Sequence, residues 1–174
     1  PNIYFNNGGH KLKIKRVTNL GTVGWTRLNN SFYGCTNLTE FTIGSTDTSS
    51  VTSMAQMFRG CSGLTSLDVS SLDTSIVTDM GYMLLGCSGL TSLDVSSLDT
   101  SLLGNMFGMF YGCNQLTSVD VSSLNTANVL VMSNMFFNCY ALTSMVGVED
   151  FDITGLNGTN NLNNFLTGGK MTTP

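Results

Sequence analysis

With 174 residues, 41 % of them apolar and only 10 % charged, the chain is too hydrophobic for a disordered segment and long enough to bury one core. No apolar run approaches the roughly 20 residues of a membrane span, so membrane insertion is not expected. Residues 1–30 carry Lys11, Lys13, Lys15, Arg16 and Arg27 and no acid, while the remainder sets two bases, Arg59 and Lys170, against eleven acids, which argues against a nucleic-acid partner.

The first element in chain order is IYFNNGGHKLKIKRV, which reads as a hairpin turning at Asn6 to Gly9. Lys11, Lys13 and Lys15 alternate with Leu12 and Ile14, the pattern of an edge strand guarded by lysines. Residues 1–24 are therefore expected to form an N-terminal hairpin cap. The chain begins at Pro1 with no signal-peptide pattern, and it reads as a piece of a longer protein. Next, Trp25, Leu28, Phe32 and Cys35 follow a helical stripe, which sets Trp25 over the first repeat.

From here the sequence is periodic. Cys35, Cys61, Cys87, Cys113 and Cys139 are each separated by 26 residues, and Gly60 to Ser75 recurs unchanged as Gly86 to Ser101. A fixed period of this length marks a solenoid of stacked units. Within one unit Leu64, Leu67 and Val69 have the LxxLxL spacing that ends in strand alternation. Leu38, Phe41 and Ile43; Leu90, Leu93 and Val95; and Leu116, Val119 and Val121 repeat it, and consecutive strands should pair in parallel. A turn such as Leu72-Asp73-Thr74-Ser75 follows, with side chains suited to closing turns or capping helices. Met54, Met57, Phe58 and Cys61 then lie at i, i+3, i+4 and i+7, and this helical stripe recurs up to Cys139. Gly34, Gly60, Gly86, Gly112 or Asn138 precedes each cysteine, as expected where a helix ends in the left-handed conformation.

The predicted fold is thus an α/β solenoid, a leucine-rich-repeat-like right-handed superhelix with one short parallel strand and one short helix per 26-residue rung. About five rungs span residues 25–160, and residues 161–174 form a degenerate last rung, truncated. One residue is inserted between Val146 and Asp152, and Leu162, Phe165 and Leu166 keep a weak helical stripe.

The stretch MFRGCSGLTSLDVSSLDTSIVTDM, from Met57 to Met80, together with its copies, resembles the BspA-type leucine-rich repeats of bacterial surface proteins. The segment VGWTRLNNSFYGCTNLT resembles the start of such arrays. The resemblance implies a non-enzymatic, surface-exposed module for adhesion or partner binding, with a protein or carbohydrate ligand. The same repeat is also found in phage-encoded proteins, so the alternative is a structural or host-recognition component of a phage particle. The implied location is extracellular, at a cell surface or virion surface, with association through the repeat ends as a further option.

In-register cysteines point the same way and five cannot all pair, so a ladder of inert buried thiols is expected rather than disulfides. No C-x-x-C pair exists for zinc, and no cofactor is expected. The methionines on the helical stripe read as core filling. Asp47, Asp73 and Asp99 sit in the turns as caps. Asp68, Asp94 and Asp120, with Ser66, Ser92 and Ser118, should face solvent from the strands and form the candidate ligand-binding strip. Carboxylates about 5 Å apart also fit glycosidase geometry, but rung spacing supplies that distance automatically, and the chain holds one histidine, His10, far in sequence from the acids. A Thr and Ser ladder resembles flat ice-binding surfaces by analogy, a match spoiled by the interleaved acids. The second candidate edge holds Tyr33, Arg59 and Tyr111, two residues before the cysteines.

Overall fold

A computed structural model describes residues 10–156 and 163–166. The 26-residue units stack as a solenoid around one apolar core, in which the five cysteines and the residues of the LxxLxL and Met/Phe positions lie buried. Phe41, on the strand wall, lies 5.3 Å from Phe32 and 4.6 Å from Phe58, ring centre to ring centre, so the segments before and after each cysteine form opposite walls of this core.

The predicted helix does not form. Among the described residues there is no α-helix; the segment ahead of each cysteine is a run of tight turns. In the second rung the N–H groups of Met57, Arg59 and Cys61 donate three residues back, to the carbonyls of Met54, Gln56 and Phe58. The alternate N–H groups, of Met54, Gln56, Phe58 and Gly60, donate instead to Asp79, Gly81, Met83 and Leu85 of the next rung at 2.7–2.9 Å. A helix would need every N–H to turn back within its own rung. Here half of them tie neighbouring rungs together, and every second carbonyl is used the same way.

Two left-handed residues per rung make this possible. Gly34, Gly60, Gly86, Gly112 and Asn138 have positive φ, as the sequence suggested, but so do Asn30, Gln56, Tyr82, Gly108 and Asn134, four residues earlier. The second set breaks the helix. Consecutive turns still return the chain every three to four residues, which is why the buried positions imitate a helical stripe.

The strands also differ from expectation. Among the described residues only the ends of the array pair as strands: β1 (Arg16–Val17) with β2 (Glu40–Phe41), and β3 (Ser118–Asp120) with β4 (Ser144–Val146), both parallel. In the middle rungs, bonding between strand segments stops at the threonines, with Thr91 N–H on Thr65 and Thr117 N–H on Thr91 at 3.3 Å. The continuous parallel contacts lie elsewhere, at Ser53, Asp79, Asn105 and Val131, at the start of the turn wall. The lysine-bearing edge strand is corrected as well: Lys11–Lys13 is a single 3₁₀ turn, and the first strand begins at Arg16. The hairpin turn at Asn6 to Gly9 lies outside the described residues.

Buried threonines at the corner complete the stack. Thr74 and Thr100 Oγ1 each donate at 2.9 Å to the carbonyl of Asp99 and Asn125 in the next rung, and Thr100 Oγ1 also accepts the Asn125 N–H at 2.7 Å. Trp25 is buried, with its indole N–H on the Leu20 carbonyl. At the far end Asn163 and Phe165 accept the N–H groups of Asn134 and Phe136, and the Phe165 ring meets Phe136 edge-on at 5.6 Å.

Candidate functional site

The strand wall presents Ser66, Asp68, Ser92, Asp94, Ser118 and Asp120 to solvent, on either side of the inward Leu67, Leu93 and Val119. This follows from strand alternation, in which successive side chains take opposite faces. Each acid closes a local turn that sequence reasoning had not assigned to it. Oδ1 of Asp68, Asp94 and Asp120 accepts the N–H of Ser70, Ser96 and Ser122 at 2.9–3.0 Å. Hydrogen bonds from the hydroxyl and the backbone of those serines hold all three carboxyls below their ordinary range, while the neighbouring Asp94 pushes Asp68 and Asp120 slightly the other way. The strip is therefore anionic at neutral pH. The turn acids Asp47, Asp73 and Asp99 make the same contact with Ser49, Ser75 and Ser101.

Between the third and fourth rungs the strand wall opens. A groove of about 550 Å³ is lined by Ser92, Asp94, Ser96, Ser118, Asp120 and Ser122, with Leu93 and Val119 at its floor. No backbone hydrogen bond crosses it among the described residues. The groove thus brings together four of the six predicted residues, Ser92, Asp94, Ser118 and Asp120, while Ser66 and Asp68 do not line it. Among the described residues its edges offer unpaired backbone N–H and C=O groups, the hydroxyls of Ser92 and Ser118, and one uncommitted oxygen on each carboxylate. Such groups can bind a hydroxyl-rich ligand by multiple hydrogen bonds. The threonine ladder cannot join in freely: Thr91, Thr117 and Thr143 turn their hydroxyls onto the carbonyls of the preceding rung at 3.2–3.4 Å.

The cysteines offer no chemistry. All five are free and buried, and Sγ of Cys61, Cys87 and Cys139 lies 3.1 Å from the carbonyls of Phe32, Phe58 and Phe110. Burial raises every thiol, Cys35 and Cys139 to about 11 and the three between them further. A thiol so far from ionising is a poor nucleophile and metal ligand. Among the described residues no group of three His, Cys, Asp or Glu side chains converges as a metal site.

On the opposite wall, Arg59 is held between the rings of Tyr33 and Tyr82, and Tyr82 contacts Phe107 edge-on. The sequence pointed to Tyr33 and Arg59 but missed Tyr82 and Phe107. These stand at two other repeat positions, which the turn wall, unlike a helix, also directs outward.

An array of stacked strand-and-turn units with a buried LxxLxL core is a leucine-rich-repeat-type solenoid. A solved leucine-rich repeat protein of T. pallidum has the same fold, with a TM-score of 0.51 and 18 % identity over 78 % of this chain and 71 % of that one. Residues 26–151 match the DUF285 family, described as a Mycoplasma protein of unknown function, and the chain belongs to that family. No curated protein matches it significantly.

Proposed function

We propose that the chain is a non-enzymatic binding module of a surface-exposed protein, of the BspA-like adhesion type, and that it captures its ligand on the strand wall. One observation carries the reading. The groove between the third and fourth rungs couples unpaired backbone groups to Ser92, Ser118, Asp94 and Asp120. Protein interfaces are depleted in Ser and Asp and anchored by aromatic residues, which this wall lacks. Its chemistry suits a glycan, whose hydroxyls would donate to the carboxylates and accept from the serines and free N–H groups. The repeat spacing adds reach, since the same pair of side chains recurs at Ser66 and Asp68.

The test is a glycan array probed with the wild-type chain and with a triple variant, Asp68→Asn, Asp94→Asn and Asp120→Asn. Asparagine keeps the Oδ1 acceptor that each turn needs, so the variant should fold. It should lose at least about tenfold in binding to any glycan the wild type captures, by loss of charge-assisted hydrogen bonds. Undiminished binding by the triple variant would remove the strand wall from the reading.

A further inference from the structure

We propose that the turn wall, opposite the strand wall, is a separate protein-docking surface anchored on Arg59, whose partner presents a carboxylate among apolar side chains. Three observations converge on it.

The first is a comparison within the chain. Gly60 to Ser75 and Gly86 to Ser101 are identical, so the strand wall offers the same groups on both rungs. The outward column two residues before the cysteines instead reads Tyr33, Arg59, Leu85, Tyr111 and Phe137. A surface that repeats can only count rungs. One that changes from rung to rung can single out one irregular partner.

The second is composition. Four of those five side chains are aromatic or aliphatic, and each of the five is half-buried. Four rung intervals of about 4.8 Å make a column of roughly 19 Å. Tyr111 meets Phe137 at 5.0 Å along the column, and Tyr82 and Phe107, 4.8 Å apart, extend the aromatic surface sideways. Tyr, Phe and Arg are the residues enriched at protein interfaces, and Tyr and Arg lead among hot spots.

The third is the state of Arg59. Its guanidinium carbon lies 5.1 Å from the centre of the Tyr33 ring and 5.6 Å from that of Tyr82, and Nη1 donates to Gln56 Oε1 at 2.8 Å. Arg59 makes no ion pair among the described residues. The rings and the amide fix the guanidinium before any partner arrives, so little side-chain freedom remains to be lost on binding. A planar fork held this way matches a carboxylate in two parallel hydrogen bonds. Strand addition is ruled out as the docking mode, because the backbone N–H groups of this wall are already used, half of them between rungs and half in turns within a rung. Recognition falls to the side chains.

The probe is a random 12-residue peptide display library selected on the full chain. Enriched peptides should carry Asp or Glu beside an aromatic or aliphatic residue. An Arg59→Met variant should weaken their binding at least about tenfold at an unchanged melting temperature. An Arg59→Lys variant should recover only part of it, since lysine keeps the charge but not the fork. A Leu85→Glu variant, one rung along the column, should repel the same peptides, while the strand-wall triple variant should bind them like the wild type. Peptides with no acid, full binding by Arg59→Met, or displacement by polygalacturonate would each overturn the proposal. The last outcome would make the turn wall a second sugar surface.

Discussion

At the scale of single residues, the two walls and the corner differ in what a substitution costs. Leu90 is fully buried, and Leu90→Ala should lose about 2–5 kcal/mol, the range for an emptied leucine site. Leu93→Ala sits at the floor of the groove with 9 % exposure and should fall at the low end of that range. Thr91→Ala removes one long hydrogen bond on an exposed face and should lose under about 1 kcal/mol. Thr100→Val should exceed it, because Thr100 is itself buried and the N–H and C=O of Asn125 both lose their partner, at about 1 kcal/mol for each of these part-buried bonds. Urea denaturation of the four variants gives the order directly. If Leu93 and Thr91 cost the same, the assignment of inward and outward strand positions fails.

At the scale of the element, the turn wall depends on its left-handed residues. Gly86 has φ +71°, and a Cβ there would approach nothing closer than 3.8 Å, so Gly86→Ala carries a conformational cost alone, about 1–2 kcal/mol. Gly86→Asn should cost clearly less, because asparagine tolerates this conformation and Asn138 already adopts it in the fifth rung. A pair of thermal melts distinguishes the two variants. Equal losses would mean that space, not backbone conformation, selects glycine. The second left-handed position was harder to see in the sequence. It is occupied by Asn30, Gln56, Tyr82, Gly108 and Asn134, and neither glutamine nor tyrosine signals positive φ. These residues are held there by the bonds their neighbours make between rungs, an environment that single-residue preference does not contain.

For the whole molecule, stability should form a plateau bounded by two sets of titrations. Asp47, Asp68, Asp73, Asp94, Asp99, Asp120 and Asp152, each hydrogen-bonded two residues on, have folded-state values below the ordinary 3.8, so they favour the fold above that value and the contribution is lost as pH falls through the folded values. The thiols behave oppositely. Their folded-state values lie above the ordinary 9.0, so their stabilisation is complete below pH 9 and declines as pH rises toward about 11 and beyond. Each thiol adds a slope of about 1.4 kcal/mol per pH unit in that window. The melting temperature should therefore fall below about pH 4 and above about pH 9, the ordinary carboxylate and thiol ranges. A Cys113→Ala variant should show a shallower alkaline decline than the wild type. Ellman's reagent should find all five thiols only after denaturation, and two disulfides in the non-reduced protein would contradict the buried ladder.

The sequence by itself determined the solenoid, its 26-residue period, the inward residues, the buried thiols and the left-handed residue before each cysteine. A period and an apolar spacing are properties of one rung, and one rung repeated is legible without coordinates. It also placed the acids and serines on the solvent side of the strand wall, because alternation alone decides that. Only the tertiary structure decided which wall is tightly bonded. Met54, Met57, Phe58 and Cys61 have the same spacing in a helix as in two consecutive turns, and the choice rests on whether the N–H groups of Met54, Gln56, Phe58 and Gly60 turn back or reach the next rung. Stacking settles that in favour of the neighbour. Once the turn wall holds the rungs together, the strand wall need not close, and the groove beside Asp94 and Asp120 is the result. The candidate strip was visible in the residues, but its opening exists only between rungs.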